Sequence, residues 1–143
     1  FSPAAPFGVG LRLSARDADE LRRSGVRAFR ESLDRDGLYV AIINGFPHGS
    51  FHRSVVKADV YAPDWRDPAR VAYTNGLIEI LATLLPAGLD GGISTVPLSY
   101  KPWMTTATSD DWRCLTDNVV RVAATTRLRA LGRSGALARR SCE

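Results

Sequence analysis

Several of the residues best suited to chemistry lie in the segment 44–66, which carries both histidines of the chain. His48 and His52 are four residues apart, so a single helical turn would bring the two imidazoles to one side. A metal site needs further ligands, however, and no carboxylate stands at a matching spacing. A metal-binding role for His52 and a role in ordinary hydrogen bonding both remain open.

Three further side chains could contact a small polar ligand. Asn44 offers an amide that can donate to and accept from a polyol, although Asn44-Gly45 is also typical of a tight turn. Lys57 could pair with a carboxylate or phosphate, or remain a solvated surface charge. Trp103 could stack on a sugar ring or pack internally. We predict these three residues and His52 as the substrate-binding set, with Ser94 as a strand residue that could face a ligand.

Three strand-then-helix units must position these side chains. The apolar pattern predicts strands over 7–13, 38–43 and 92–98, each followed by a helix, over 14–36, from 67 to about 86, and from about 109 to 131. The continuous apolar run 38–43 is typical of a strand buried on both faces. Ser14 with Asp17 predicts a capped start for the first helix, and Asp67 before Pro68 predicts a capped start for the second. This order indicates an α/β fold with a mostly parallel sheet, either a barrel or an open doubly wound sheet. In both, ligands bind at the carboxyl ends of the strands.

Composition excludes several classes of protein. With 143 residues, 45% of them hydrophobic and 24% charged, the chain is globular and of single-domain length. The net charge of +4 is concentrated in C-terminal arginines without interleaved aromatic residues, so we expect no nucleic-acid partner. No apolar run approaches the roughly 20 residues of a membrane span, and two cysteines without a metal or redox spacing favour the cytoplasm. Walker, dinucleotide and nucleophile-elbow motifs are absent.

Four runs of the sequence resemble bacterial EboE proteins: GVGLRLS (8–14), NGFP (44–47), VYAPDWRDP (60–68) and STVPL (94–98). EboE proteins are described as metabolite-traffic proteins with a xylose-isomerase-like TIM barrel. The resemblance implies that residues 1–132 form a partial (β/α)₈ barrel with about three consecutive βα units, and that 133–143 are a basic, irregular tail. It also implies a divalent metal in the complete barrel, held by acidic residues that this chain lacks.

Three hypotheses about function follow from the resemblance and the residues. The first is a sugar-isomerase-like enzyme for a small hydroxylated or phosphorylated metabolite, which would need a metal and a carboxylate or histidine base. The second is a non-catalytic protein that only binds such a metabolite. The third is an inactive, truncated piece, because three strands leave two unpaired edges and an uncovered apolar face. The substrate, the metal and the oligomeric state stay open.

Overall fold

A computed structural model describes residues 5–46, 48–49 and 58–130, the last four of these without their side chains. This part of the chain contains three strands, four α-helices and two short 3₁₀ turns, at Asp59–Tyr61 and Lys101–Met104. In chain order the strands and α-helices are β1 (Phe7–Arg12), α1 (Ala15–Ser24), α2 (Val26–Arg35), β2 (Leu38–Asn44), α3 (Pro68–Leu84), β3 (Gly92–Ser94) and α4 (Ser109–Ala130).

The three strands form one open, parallel sheet in the order β1-β2-β3. The prediction of a partial (β/α)₈ barrel is therefore wrong for the described residues. A barrel requires the sheet to close on itself through strands that pair on both sides. Of the three described strands, β2 alone pairs on both sides, and β1 and β3 each pair on one side.

Among the described residues, helices pack against one face of the sheet and none packs against the other, which we call the open face. A bulge at Ala41 shifts the register, so that Val9 pairs with Val40 but Gly10 pairs with Ile42. As a result Val40 and Ile43 both point to the helices and are fully buried, whereas Ile42 is 48% exposed on the opposite face. The prediction that β2 is buried on both faces is wrong, because the described helices pack on one face alone.

The helix predicted over 14–36 is two helices, α1 and α2, that meet at Gly25. Its φ of 114° lies in a region that residues with a side chain rarely adopt, and a helix cannot continue through it. The predicted start of α1 is confirmed, because the Ser14 hydroxyl accepts the Asp17 amide hydrogen and the Asp17 carboxylate accepts the Ser14 amide hydrogen.

The third strand is shorter than predicted. β2 ends at Asn44, which pairs with Ser94, so β3 has no further β2 residue to pair with beyond Ser94. The chain beyond Ser94 bonds elsewhere. The indole N–H of Trp65 donates to the carbonyl oxygen of Val96 at 3.3 Å, and its backbone N–H donates to Leu98 at 3.1 Å. The two hydrogen bonds from Trp65 thus take the place of bonds that a neighbouring strand would make to Val96 and Leu98.

Helix α3 is the centre of the packing. It contacts β2 and the helices α1, α2 and α4, and Leu77 and Ile80 on it are fully buried. As predicted, Asp67 caps its N-terminus by accepting the amide hydrogen of Ala69 at 2.8 Å, and Pro68 is its first residue. In the described part of the chain no helix is both long enough and apolar enough to cross a bilayer.

Candidate functional site

Three polar side chains form a row across the carboxyl end of the sheet. Arg12, the last residue of β1, pairs in register with Asn44, the last residue of β2, and Asn44 pairs with Ser94, the last residue of β3. Residues in register share a face, and here it is the open face. All three are exposed. We call Arg12, Asn44 and Ser94 the polar row.

Asn44 is held in place from two sides. Its side-chain oxygen accepts a hydrogen bond from the Ser94 hydroxyl at 3.2 Å and another from the Phe46 backbone N–H at 3.1 Å. The second bond closes a turn of the kind that asparagine favours, which was the structural alternative for Asn44-Gly45. Because both bonds use the oxygen, the amide nitrogen has no partner among the described residues and keeps two donors for a ligand.

A buried arginine fixes the backbone that follows the polar row. Arg70 on α3 is 0% exposed and donates to the carbonyl oxygens of Pro63 at 2.8 Å, Gly45 at 3.0 Å and Phe46 at 3.4 Å. Burial lowers its pKa, and the carboxylates of Asp64 and Asp67 offset part of that effect without touching it. Within the described residues its Nη2 atom is buried without a hydrogen-bond partner. Arg70 therefore joins the segment after β2 to the segment before α3.

Gly45 is necessary for this arrangement. A Cβ atom at this position would lie 2.5 Å from Leu77 Cδ1 and 2.9 Å from the Ser94 carbonyl oxygen. The same carbonyl accepts the Gly45 amide hydrogen at 2.9 Å. Close packing of the chain between α3 and β3 thus explains the glycine after Asn44.

His48 and Tyr73 lie beside Arg70. The His48 ring meets the Tyr73 ring edge to face, with 5.0 Å between centroids, and the Arg70 guanidinium lies 5.4 Å from the centroid of Tyr73. Burial, followed by the charge of Arg70, lowers the pKa of His48. Burial raises the pKa of Tyr73 to about 12, and its hydroxyl donates to the Leu13 carbonyl oxygen at 2.5 Å. The lowered pKa of His48 favours the neutral form of its imidazole.

Four aromatic rings form a continuous series in the two connections that follow β2 and β3. The centroid of Phe46 is 5.7 Å from that of Tyr61, Tyr61 stacks on Tyr100 at 4.9 Å with 24° between planes, and Tyr100 meets Trp103 at 5.4 Å. We call these four residues the aromatic ladder. Phe46 and Tyr61 belong to the connection after β2, and Tyr100 and Trp103 to the connection after β3, so the ladder joins the two connections.

A buried carboxylate links the same two connections. Asp64 is 6% exposed and accepts hydrogen bonds from the Arg66 backbone N–H at 2.9 Å, from Arg66 Nη2 at 2.7 Å and from the Ser99 hydroxyl at 2.5 Å. Burial would raise its pKa, but the hydrogen bonds from Arg66 and Ser99 outweigh burial and hold the pKa below its usual value. Arg66 also reaches Asp111 on α4 at 3.4 Å. Asp64 is thus the point where the two connections and α4 meet.

Of the predicted substrate-binding residues, the structure describes two. Asn44 lies in the polar row and Trp103 in the aromatic ladder, whereas His52 and Lys57 lie outside the described residues. Among the residues that are described, no group of three or more His, Cys, Asp or Glu side chains converges to hold a metal ion. The metal implied by the resemblance therefore has no fitting ligand set in this part of the chain.

Sequence reasoning missed Arg12 and the pairing of Tyr61 with Tyr100. Arg12 was recoverable in principle, because it is the polar residue that ends an apolar strand and so must lie at the carboxyl edge. No local signal pairs Tyr61 with Tyr100, since they are 39 residues apart and meet only when β2 and β3 are adjacent.

Comparison of the chain with protein-family models, with curated proteins and with solved structures found no match.

Proposed function

We propose that this chain binds a small hydroxylated or phosphorylated metabolite along the polar row. The observation that carries the proposal is the alignment of Arg12, Asn44 and Ser94 in one register across three parallel strands. The carboxyl edge of a parallel sheet is where α/β proteins bind ligands, so a row of exposed polar side chains at this edge supports a binding site. The resemblance to EboE metabolite-traffic proteins points to the same class of ligand.

The three side chains suit different parts of such a ligand. Arg12 carries a permanent charge that pairs with a phosphate or carboxylate, often through two parallel hydrogen bonds. The Asn44 amide and the Ser94 hydroxyl donate to or accept from hydroxyl groups. Adjacent strands are about 4.8 Å apart, so the backbones at the two ends of the row are separated by about 10 Å. That length matches a metabolite of a few carbon atoms with an anionic group at one end.

Binding, rather than isomerisation, is the function that these side chains support. Arginine and asparagine orient oxygen atoms and do not exchange protons at neutral pH, and a serine needs an adjacent base to do so. The described partner of the Ser94 hydroxyl is an amide oxygen, which is not such a base. The proposal therefore assigns the row the task of holding a ligand.

Isothermal titration calorimetry tests this proposal with ribose 5-phosphate, ribose and inorganic phosphate as probes. We expect ribose 5-phosphate to bind most tightly, since it alone engages both ends of the row. The Arg12→Gln variant should weaken that binding about tenfold or more, because a charge-assisted hydrogen bond contributes about 1.5–3 kcal/mol.

The matched control is Arg27→Gln, which removes an exposed arginine from α2, away from the row. It should leave the affinity unchanged. Failure of wild-type protein to bind any of the three probes, or equal losses in the two arginine variants, would refute the proposed function.

A further inference from the structure

We infer that the aromatic ladder is a stacking surface for a planar, conjugated ring, and that the ligand of this chain carries such a ring. The inference rests on the proposed function only for the anionic end of the ligand at Arg12. The ladder itself is an independent observation, made of Phe46, Tyr61, Tyr100 and Trp103.

The exposure of the ladder separates it from the aromatic residues of the interior. Trp65 is 2% exposed and Tyr73 is 6% exposed, and both donate hydrogen bonds from their polar atoms to backbone carbonyls. All four ladder rings are half-buried instead. Among the described residues the hydroxyls of Tyr61 and Tyr100 have no hydrogen-bond partner. Each ladder residue therefore keeps part of its surface open to solvent, and Phe46 also packs against the buried cluster that contains Trp65.

The geometry of the ladder suits a further ring. Tyr61 and Tyr100 are stacked with their planes nearly parallel, and Phe46 and Trp103 stand edge to face at the two ends of this pair. Offset-stacked and edge-to-face contacts at these separations are the favourable arrangements of aromatic pairs. A planar ring gains the same contacts on the exposed parts of the ladder, as bases do on the aromatic side chains of single-strand binding proteins.

Hydrogen bonds join the two connections that carry the ladder, and such preorganisation reduces the entropic cost of stacking a ligand on it. The carboxylate of Asp64 lies three residues after Tyr61, and the Ser99 hydroxyl that donates to it lies one residue before Tyr100. A backbone bond adds to this link, since the Trp65 N–H donates to the Leu98 carbonyl oxygen. Within the connection after β3, the Trp103 N–H donates to the Tyr100 carbonyl oxygen. Tyr61 and Tyr100 therefore each lie within three residues of a group that these hydrogen bonds hold in place.

The ladder also adjoins the polar row. Phe46 is two residues beyond Asn44 and donates its backbone N–H to the Asn44 side chain. Consecutive Cα atoms are 3.80 Å apart, so the two Cα atoms lie within about 7.6 Å. One ligand with an anionic group and a planar ring can therefore span both features, and a mononucleotide is the simplest probe with that chemistry.

Calorimetric titrations of the wild-type chain with AMP, ribose 5-phosphate and adenosine test the inference. AMP should bind about tenfold or more tightly than ribose 5-phosphate, because stacking of one base on an aromatic side chain supplies at least that factor. Adenosine should bind measurably without a phosphate. The Tyr100→Leu and Trp103→Leu variants should lower the affinity for AMP to that for ribose 5-phosphate, and leave ribose 5-phosphate binding unchanged.

The control is Trp112→Leu, which removes a 48% exposed tryptophan from α4 and should change none of the affinities. If wild-type protein binds AMP no more tightly than ribose 5-phosphate, the rings only pack the two connections together and the inference fails while the proposed function stands. If adenosine binds and ribose 5-phosphate does not, the proposed function fails and the inference stands. If none of the three binds, both fail.

Discussion

Replacing Asp64 by asparagine should destabilise the chain far more than an ordinary surface substitution does. Asparagine keeps the size of the side chain but replaces one carboxylate oxygen by an NH₂ group. The carboxylate accepts hydrogen bonds from Arg66 and from Ser99, and Asp64 is 6% exposed. In the variant, an NH₂ donor would face the Arg66 or the Ser99 donor, and the Arg66 guanidinium would lose its nearest negative charge.

The expected cost follows from the number and kind of these bonds. Hydrogen bonds to a charged group contribute about 1.5–3 kcal/mol each. Removing one partner of a buried ion pair costs about 3–5 kcal/mol. The Arg66 side chain is 32% exposed, so water replaces part of the lost interaction. We therefore expect Asp64→Asn to lower the free energy of unfolding by about 3 kcal/mol.

Urea unfolding followed by circular dichroism measures this cost. With a slope of about 1–3 kcal/mol per molar urea, the midpoint should fall by about 1 M or more. The control is Asp59→Asn, an exposed aspartate in the same connection, which should change stability by less than about 0.5 kcal/mol. Equal midpoints for the two variants would refute the assignment of Asp64 as the link between the connections.

The pH dependence gives a second check on the same residue. The pKa of Asp64 is held below its usual value, so its contribution is present above the pKa of the unfolded chain. It is lost as the pH falls through the folded pKa. The difference in stability between wild type and Asp64→Asn should therefore shrink as the pH falls below about 4. A difference that stays constant down to pH 2, roughly the end of carboxyl titration, would contradict this account.

Three further predictions concern the packing around α3. Since burial raises the pKa of Tyr73 to about 12, phenolate absorbance should show one tyrosine that ionises late, and stability should fall as the pH rises from about 10 to about 12. Gly45→Ala should cost about 1–3 kcal/mol by overpacking, while Gly49→Ala, where a Cβ meets nothing within 4 Å, should be nearly neutral in the same urea assay. Leu77→Ala, at 0% exposure, should cost about 2–5 kcal/mol, and Leu89→Ala, at 47% exposure, much less; equal costs would exclude α3 as the core helix.

Local chemistry in the sequence was sufficient to predict where most elements begin. Ser14 and Asp17 cap α1, and Asp67-Pro68 starts α3, because a capping side chain bonds to backbone atoms two or three residues away. The break at Gly25 was missed, although it too is local. The spacing of apolar residues in α1 and α2 is compatible with one apolar stripe along a single continuous helix. The positive φ of Gly25 does not alter that spacing, so the pattern does not reveal the break.

The site was predictable in position but only partly in content. Parallel strands direct ligands to their carboxyl ends, which led from the sequence to Asn44 and to the connections after β2 and β3. The contribution of Arg12 depends on the register of β1 against β2, and that register includes a bulge. The aromatic ladder depends on the adjacency of two connections, so it required the tertiary structure.

By itself the sequence determined an α/β chain with three strands, the capped starts of α1 and α3, and the edge at which polar side chains would gather. Only the tertiary structure decided that, within the part of the chain it describes, the sheet is open and no helix covers one of its faces. The physical reason is that sequence periodicity records which side chains avoid water, and does not record what covers them. Whether a strand such as β2 is covered on one face or on both is decided by the elements that pack beside it.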